Sequence, residues 1–183
     1  MRLAEFPATI PGATVVLRDF RLDDVDAVLE VAGDDRVTRW LSHDSKDRAQ
    51  VEEMLTGAIE RGQADPRQEW YLAATLPDSD RLIGFARIAR AGVEAGKLGC
   101  AIRADEQGKG YATDAARTLT TFGFRELGLH RVSAAIGPDN APSIAAIKRL
   151  GFQHEGRLRD HVFTNGAWRD SLLYSVLAHE WSA

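Results

Sequence analysis

The segment at residues 105–113, DEQGKGYAT, follows a predicted strand and precedes a predicted helix. Its glycines, Gly108 and Gly110, permit backbone angles that other residues avoid and let a ligand approach the main chain. The amides of residues 108–113 would lie at the helix N-terminus, where N–H groups lack intrahelical partners and the dipole is positive. The pyrophosphate of a nucleotide matches such a site, and Lys109 adds positive charge. The segment therefore predicts an anion-binding turn.

Two well-known nucleotide-binding motifs do not fit this turn. A kinase-type phosphate loop needs Ser or Thr after its lysine, whereas Lys109 is followed by Gly110. A dinucleotide fingerprint needs Gly or Ala at its third conserved position, where this chain has Thr113. It also needs an acid about 20 residues further on, and none is clear. A glycine-rich turn without a ligand stays open as an alternative.

The rest of the chain alternates between strand and helix patterns around this turn. Strands are predicted at residues 14–20, 70–76, 82–89, 98–103, 131–136, 157–163 and 168–177. Helices are predicted at residues 23–32, 46–61 and 112–127, and between the break at 138–140 and Gly151. No linker interrupts this order, so residues 1–183 are predicted to form one α/β domain with a mixed sheet.

Composition narrows the class of protein. A chain of 183 residues with 44% hydrophobic residues is long enough for one full core. The net charge of −4 disfavours a nucleic-acid partner, and no apolar run is long enough for a membrane span or a signal peptide. The single cysteine, Cys100, excludes an intrachain disulfide and fits a cytoplasmic protein.

The charge is also uneven along the chain. Acidic side chains exceed basic ones over residues 1–65, whereas basic ones slightly exceed acidic ones over residues 66–183. This pattern fits two differently solvated surfaces. It also fits a later half that meets an anionic cofactor and an earlier half that faces a cationic substrate.

Several motifs together resemble a known family. Residues 107–112, QGKGYA, match the cofactor motif Q/R-x-x-G-x-G/A of the GNAT acetyltransferases. The surroundings resemble the branch named for the ribosomal-protein acetyltransferases RimJ and RimL. The stretches that carry this likeness are TVVLRDFRLDD, GKGYATDAA, HRVSAAI, N-x-x-S at residues 140–143, KRLGFQHEGRLRD and WRDSLLYSVL. The resemblance covers about residues 14–178, and the order and spacing of the motifs make it specific.

The resemblance implies a fold with about seven strands, mostly antiparallel, and about four helices. In such a fold the fourth and fifth strands, here residues 98–103 and 131–136, splay apart and admit the pantetheine arm of acetyl-CoA. An acceptor amine then attacks the thioester directly in a ternary complex, and no metal is needed. The cofactor-binding residues so implied are Ala101, Ile102, Arg103, Gln107, Gly108, Lys109, Gly110, Tyr111, Ala112, Thr113, Asn140 and Ser143.

Ser143 is the candidate acid for the leaving thiolate. Many GNAT enzymes use a tyrosine near the end of this helix, where this chain has Ile147. In the RimL-like branch a serine at the Ser143 position is the proposed acid. Ser143 would also lie in the first turn of a helix, so capping is an alternative role, compatible with the first.

The general base is less clearly encoded. Glutamates of the branch are replaced here by Lys97 and Val162. Asp160 lies two residues before Val162, on the same face of a regular strand, and is the candidate substitute. A surface ion pair with Arg157 or Arg159 is its alternative role. Water as a relay, or an acceptor that arrives as a free amine, would make a base unnecessary.

Three functions follow as hypotheses. The first is an N-acetyltransferase whose acceptor is a protein N-terminus or a small amine. The second is a CoA-binding module without catalysis, suggested by the replaced glutamates, and the third is a dinucleotide-dependent oxidoreductase. Trp40 and Leu41 lie where the branch builds its substrate pocket, although core packing would explain them equally well. A homodimer is compatible with the family.

Overall fold

Eight strands form one mixed sheet in the computed structural model, which describes residues 4–182. The strands are β1 (Thr9–Pro11), β2 (Val16–Asp19), β3 (Glu69–Thr75), β4 (Leu82–Arg90), β5 (Ala95–Ile102), β6 (Arg131–Ile136), β7 (Gln153–Thr164) and β8 (Ala167–Leu177). Their order across the sheet is β1-β2-β3-β4-β5-β6-β8-β7. Every neighbouring pair is antiparallel except β5 and β6, which are parallel.

Five α-helices accompany the sheet in the described residues. They are α1 (Val25–Ala32), α2 (Asp35–Thr38), α3 (Arg48–Gln63), α4 (Tyr111–Arg125) and α5 (Ala141–Arg149). Asp47 and Gln50 form a reciprocal capping box at the start of α3, which satisfies N–H groups that the helix itself leaves unpaired. None of these helices has the length and apolar character required to traverse a bilayer.

The sheet separates two hydrophobic cores. On one face α4 and α5 bury Leu119, Phe122 and Ile147 against strand residues such as Ile88 and Val132. On the opposite face α1 and α3 bury Val28, Val31 and Leu55 against strand residues such as Ala73 and Phe85. This second set of helices packs on β3 and β4 and leaves Lys97 of β5 and Ala135 of β6 exposed on that face, whereas Ser171 and Ser175 of β8 are buried there.

The predicted fold class, a mostly antiparallel mixed sheet with flanking helices, is confirmed. The structure adds β1 and α2 to the seven strands and four helices that we expected. β1 has three residues and includes a proline, so it shows no alternation, and α2 is a single turn without helical periodicity. β5 also starts at Ala95, three residues before its predicted start.

The feature that positions the site is the separation of β5 from β6. The two strands pair over only three positions, from Ala95 opposite Arg131 to Lys97 opposite Ser133. Beyond Lys97 they diverge, while β5 stays paired with β4 as far as Ile102. The predicted splay is therefore confirmed, and it opens toward the C-terminal ends of both strands.

Candidate functional site

The turn after β5 has the backbone geometry that its glycines predict. Ala104–Glu106 form a short 3-10 turn, and the chain then passes through Gly108 at φ +80° and Gly110 at φ +88°. Both angles lie in the left-handed region that favours glycine. Gly110 is the residue immediately before α4, so the turn delivers the chain directly into that helix.

The main-chain amides of this turn are free. Within residues 4–182, no hydrogen bond from the N–H groups of residues 108–113 to a protein acceptor is found. The first paired amide is that of Asp114, which donates to Gly110 O at 3.0 Å. A Cβ built on Gly108 or Gly110 would meet nothing within 4 Å, so the space beside the turn is open. These free N–H groups and the positive end of the α4 dipole together form a site suited to an anion.

The side chains of the turn have separate tasks. Gln107 Nε2 donates to Ile102 O at 3.0 Å and so ties the turn to the end of β5. Lys109 Nζ lies 2.7 Å from the buried carboxylate of Glu106, which also binds Arg81 at 2.5 Å. These two cations lower the pKa of Glu106, Lys109 being the larger cause. The charge of Lys109 is therefore offset by Glu106, and the amides rather than the ammonium define the site.

Three further members of the predicted set lie at the start of α4. Tyr111 is half-buried and packs against the core beneath the helix, Ala112 is exposed, and Thr113 is half-buried. The next residue, Asp114, was not predicted. Its buried carboxylate accepts hydrogen bonds from the amides of Thr14 and Val15 at 2.7 and 3.1 Å, which holds the β1–β2 turn against α4. An acid in the first turn of a helix was the only sequence signal for this role.

Only every second residue of β5 directs its backbone N–H group toward the opening between β5 and β6. The amide of Arg103 donates to Ile83 O in β4 at 2.8 Å. Because successive residues of a strand point their N–H groups to opposite sides, the amide of Ala101 also points toward β4, whereas those of Cys100 and Ile102 point toward the opening. Of the three predicted strand residues, Ile102 thus directs its N–H toward the opening, whereas the N–H groups of Ala101 and Arg103 are directed to β4. The side chain of Arg103 pairs with Asp105 and Glu30.

Asn140 and Ser143 lie on the other side of the opening, after β6. Asn140 Oδ1 accepts a hydrogen bond from Ser143 N at 3.4 Å, so the asparagine side chain caps α5. Ser143 itself is half-buried, and no hydrogen bond to its hydroxyl is found in the part of the chain that the structure describes. Capping therefore belongs to Asn140, which leaves the Ser143 hydroxyl available for other chemistry.

Asp160 does not lie at the opening with Asn140 and Ser143. It lies exposed in β7, the last strand of the sheet, and β8 and β6 separate it from the opening. The register shifts between Leu158 and Val162, and Asp160 adopts φ +46°, so the regular alternation behind its prediction fails. The alternative role, an ion pair of Asp160 with Arg157 or Arg159, is not found in the described part of the chain either, and Arg157 instead binds Asp170 at 2.6 Å. The bulge could not be read from a sequence that lacks any glycine at this point.

A loop closes over the open end of the splayed strands. Trp40 is half-buried, and a Cβ built on Gly137, at the end of β6, would lie 3.7 Å from its ring. Arg169 of β8 donates to the carbonyls of Arg39 and Leu41, the latter at 2.6 Å. Trp40 and Leu41 thus border the opening as well as packing, and Arg169, which the sequence did not reveal, holds them there. Among residues 4–182, no group of three or more acidic, histidine or cysteine side chains is arranged to hold a metal ion.

Comparisons with known proteins agree with this arrangement. The family model described as Acetyltransferase (GNAT) domain matches residues 14–153. The chain is similar to the uncharacterized N-acetyltransferase YnaD of Bacillus subtilis (strain 168), with 28% identity over 92% of this chain and 96% of the relative. It is also similar to the [Ribosomal protein uS5]-alanine N-acetyltransferase of Escherichia coli (strain K12), with 31% identity over 62% of this chain and 60% of that one.

Solved structures show the same fold. The chain superposes on Mycobacterium smegmatis RimJ in complex with CoA-disulfide with a TM-score of 0.82 and 24% sequence identity, covering 96% of this chain and 90% of that one. The family model alone spans more than half of the chain. The protein therefore belongs to the GNAT family of acetyltransferases, and its relatives include ribosomal-protein N-acetyltransferases of the RimJ and RimL type.

Proposed function

We propose that this chain transfers an acetyl group from acetyl-CoA to a primary amine and that residues 108–113 bind the pyrophosphate of the cofactor. The observation that carries the proposal is the run of free amides at the start of α4, directly beside the β5–β6 opening. Their chemistry suits a diphosphate because unpaired N–H groups and the helix dipole both favour negative charge. The solved complex of RimJ with CoA-disulfide supports a coenzyme A ligand for a fold of this kind.

The same proposal assigns roles to the two sides of the opening. On the β5 side, the edge amides of Cys100 and Ile102 would bind the pantetheine arm and the oxygen of the thioester carbonyl. On the α5 side, the Ser143 hydroxyl would face the sulfur. In the reaction the neutral acceptor nitrogen forms a bond to the carbonyl carbon, the carbon–sulfur bond breaks, and the thiolate takes the Ser143 proton. The proton that the nitrogen loses as the amide forms returns to Ser143 through water.

The proton that the amine loses needs an acceptor other than Asp160. Because β8 and β6 lie between Asp160 and the opening, we assign this proton to water. An acceptor that arrives as the free amine carries one proton fewer, so it needs no base before it attacks the thioester. The acceptor is a protein N-terminus or a small amine, and the ribosomal-protein acetyltransferase named above supports the first of these. This proposal predicts a rate that rises with pH until the acceptor amine is deprotonated.

Replacement of Gly110 tests the cofactor site. Gly110→Glu would place a carboxylate where we expect phosphate, whereas Gly110→Gln adds a side chain of the same size without the charge. Both variants carry the same strain at φ +88°, so the difference between them reports the charge alone. We expect isothermal titration to give an affinity for acetyl-CoA at least about tenfold weaker for the glutamate variant, a difference of about 1.4 kcal/mol.

Equal affinities in the two variants would contradict the placement of the diphosphate. Turnover then separates an enzyme from a module that only binds coenzyme A. Release of free thiol from acetyl-CoA in the presence of a panel of amines supports catalysis, whereas tight binding without thiol release supports the module. The module without catalysis is considered because Lys97 replaces a glutamate of the branch.

A further inference from the structure

Lys97 lies at the point where β5 and β6 separate. It is the last residue of β5 that pairs with β6, opposite Ser133, and on its other side it pairs with Ala89 of β4. Its side chain is exposed, and within residues 4–182 no carboxylate lies within 4.0 Å of its ammonium group. A cation without a partner is therefore fixed at the closed end of the opening.

The side chain of Lys97 projects from the open face of the sheet. Ala101 of β5 packs with Phe85 in the core under α1 and α3, and residues two apart along a strand share a face. Lys97 and Gly99 therefore face the same side as Ala101. The opposite face of β5 is covered by α4, which packs against Leu98 and Ile102. Because the proposed cofactor site lies at the N-terminus of α4, on the other face, we expect the acceptor to approach the opening from the Lys97 side.

The charges around Lys97 are unbalanced. Arg87 lies on the same face, diagonally across from Lys97 on the neighbouring strand. Arg87 binds Glu69, but the other oxygen of Glu69 already binds Arg61 at 2.6 Å. One carboxylate is thus shared by two guanidinium groups, and Lys97 adds a third positive charge.

The next carboxylate on this face is also occupied. Glu155 of β7 accepts hydrogen bonds from Arg131 and from Ser175, the latter at 2.6 Å. Further along β8, Arg169 binds only main-chain carbonyls, and no salt bridge to it is found in the described part of the chain. The surface around Lys97 therefore has an excess of positive charge, and neither Glu69 nor Glu155 is a free carboxylate.

We propose that Lys97 selects an acceptor amine that carries a carboxylate. The inference rests on the proposed acetyl transfer and names the class of its acceptor. An amine that enters over the exposed face passes Lys97, whose ammonium group has no carboxylate partner among the side chains of residues 4–182 and is free to form an ion pair. The polar surface continues across β6 and β8, further than a two-carbon acetyl group reaches, so the acceptor rather than the acyl group is its partner. A cationic acceptor such as a polyamine would be repelled.

Matched dipeptide acceptors test this proposal. Gly-Glu-amide, Gly-Gln-amide and Gly-Lys-amide present the same reacting amine and differ only in the charge of one side chain. We expect kcat/KM to be about fivefold higher for the glutamate peptide than for the glutamine peptide, a ratio that corresponds to the free energy of one exposed ion pair. The lysine peptide should have the lowest kcat/KM. Lys97→Met should abolish the preference, and Lys97→Glu should reverse it. Lys148→Met, an exposed lysine in the last turn of α5, should leave it unchanged.

The outcomes separate this proposal from the proposed function. Acetylation of all three peptides with equal kcat/KM, or an unchanged preference in Lys97→Met, overturns the role of Lys97 and leaves the acetyltransferase assignment in place. A parallel series with succinyl-CoA and butyryl-CoA checks the other reactant. If Lys97→Met changes the ratio for these acyl donors and not for the peptides, the lysine selects the acyl chain and our assignment to the acceptor is wrong. Absence of acetyl-CoA binding overturns both proposals.

Discussion

Asn140 and Ser143 have different roles at the start of α5. The Asn140 side chain accepts the hydrogen bond that caps the helix, and Ser143 contributes only its main-chain N–H to that cap. The loss of the Ser143 hydroxyl therefore removes no bond that stabilises α5. A change in rate on its removal can be assigned to chemistry rather than to folding.

We predict that Ser143→Ala lowers kcat by at least about tenfold while the KM for acetyl-CoA and the thermal midpoint stay close to wild type. The reason is that the thiolate then leaves without a proton donor, whereas the cap remains. Steady-state kinetics with a thiol-reactive dye and a thermal melt measure both quantities. Asn140→Ala is the matched control, because it removes the cap and should cost about 1 kcal/mol of stability. An unchanged kcat in Ser143→Ala would exclude the serine as the acid.

The glycine turn and the base were predictable to different degrees. Gly108 and Gly110 adopt the left-handed angles that their sequence pattern indicates, since no other residue type fits that backbone as easily. Asp160 was predicted from strand alternation, which the bulge in β7 breaks. A bulge depends on the register in which two strands pair. The pattern of residues within one strand does not encode that register.

At the scale of elements, β6 was predicted with the observed bounds, and most other strands and helices were predicted within a few residues. Alternation of apolar residues or a continuous helical face marks these elements. β1 and α2 are too short to carry either pattern, and β1 forms because β2 pairs with it. The order of strands across the sheet was not predicted, because local patterns contain no information on which strands become neighbours. The resemblance to the family supplied only the splay of the fourth and fifth strands.

Glu155 links three strands and predicts a pH dependence. Its carboxylate in β7 binds Arg131 of β6 and Ser175 of β8, and these contacts lower its pKa from 4.5 to about 2, Arg131 being the larger cause. A group whose pKa is lower in the folded protein stabilises the fold above its unfolded pKa. This stabilisation is complete above about pH 4.5 and is lost as the pH falls toward 2.

We therefore expect Glu155→Gln to be less stable than wild type at pH 6 and the difference to shrink as the pH falls from 4.5 toward 2. Urea denaturation at a series of pH values measures the free energy of unfolding of both proteins. Glu53→Gln, on the exposed side of α3, is the control and should change stability little at any of these pH values. A constant difference between Glu155→Gln and wild type across this range would show that the ion pair is not its source.

At the scale of the whole molecule, the sheet joins two cores that meet at the site. α4 packs on one face and presents its N-terminus to the opening, while the loop after α2 reaches the opening from the other face. Ligand bound between them contacts both halves of the structure and binds only the folded protein. Binding free energy therefore adds to the stability of the entire fold.

Acetyl-CoA at about 100 times its dissociation constant is predicted to stabilise the protein by about 2.7 kcal/mol. For a domain of this size that corresponds to a rise of about 5 to 10 °C in the thermal midpoint, measurable by differential scanning fluorimetry. Gly110→Glu at the same ligand concentration should show little rise, whereas Gly110→Gln should retain more of it. A midpoint that does not respond to acetyl-CoA in the wild-type protein would argue against binding to the folded state.

Amide NMR can show whether the free amides of residues 108–113 bind the diphosphate of the cofactor. In spectra of 15N-labelled protein, we predict that the N–H resonances of these residues shift on addition of coenzyme A. They should stay in place on addition of pantetheine, which lacks the pyrophosphate, because the α4 N-terminus then has no anion to bind. If coenzyme A binds and shifts other resonances while those of residues 108–113 stay unchanged, the diphosphate lies elsewhere and the account is contradicted.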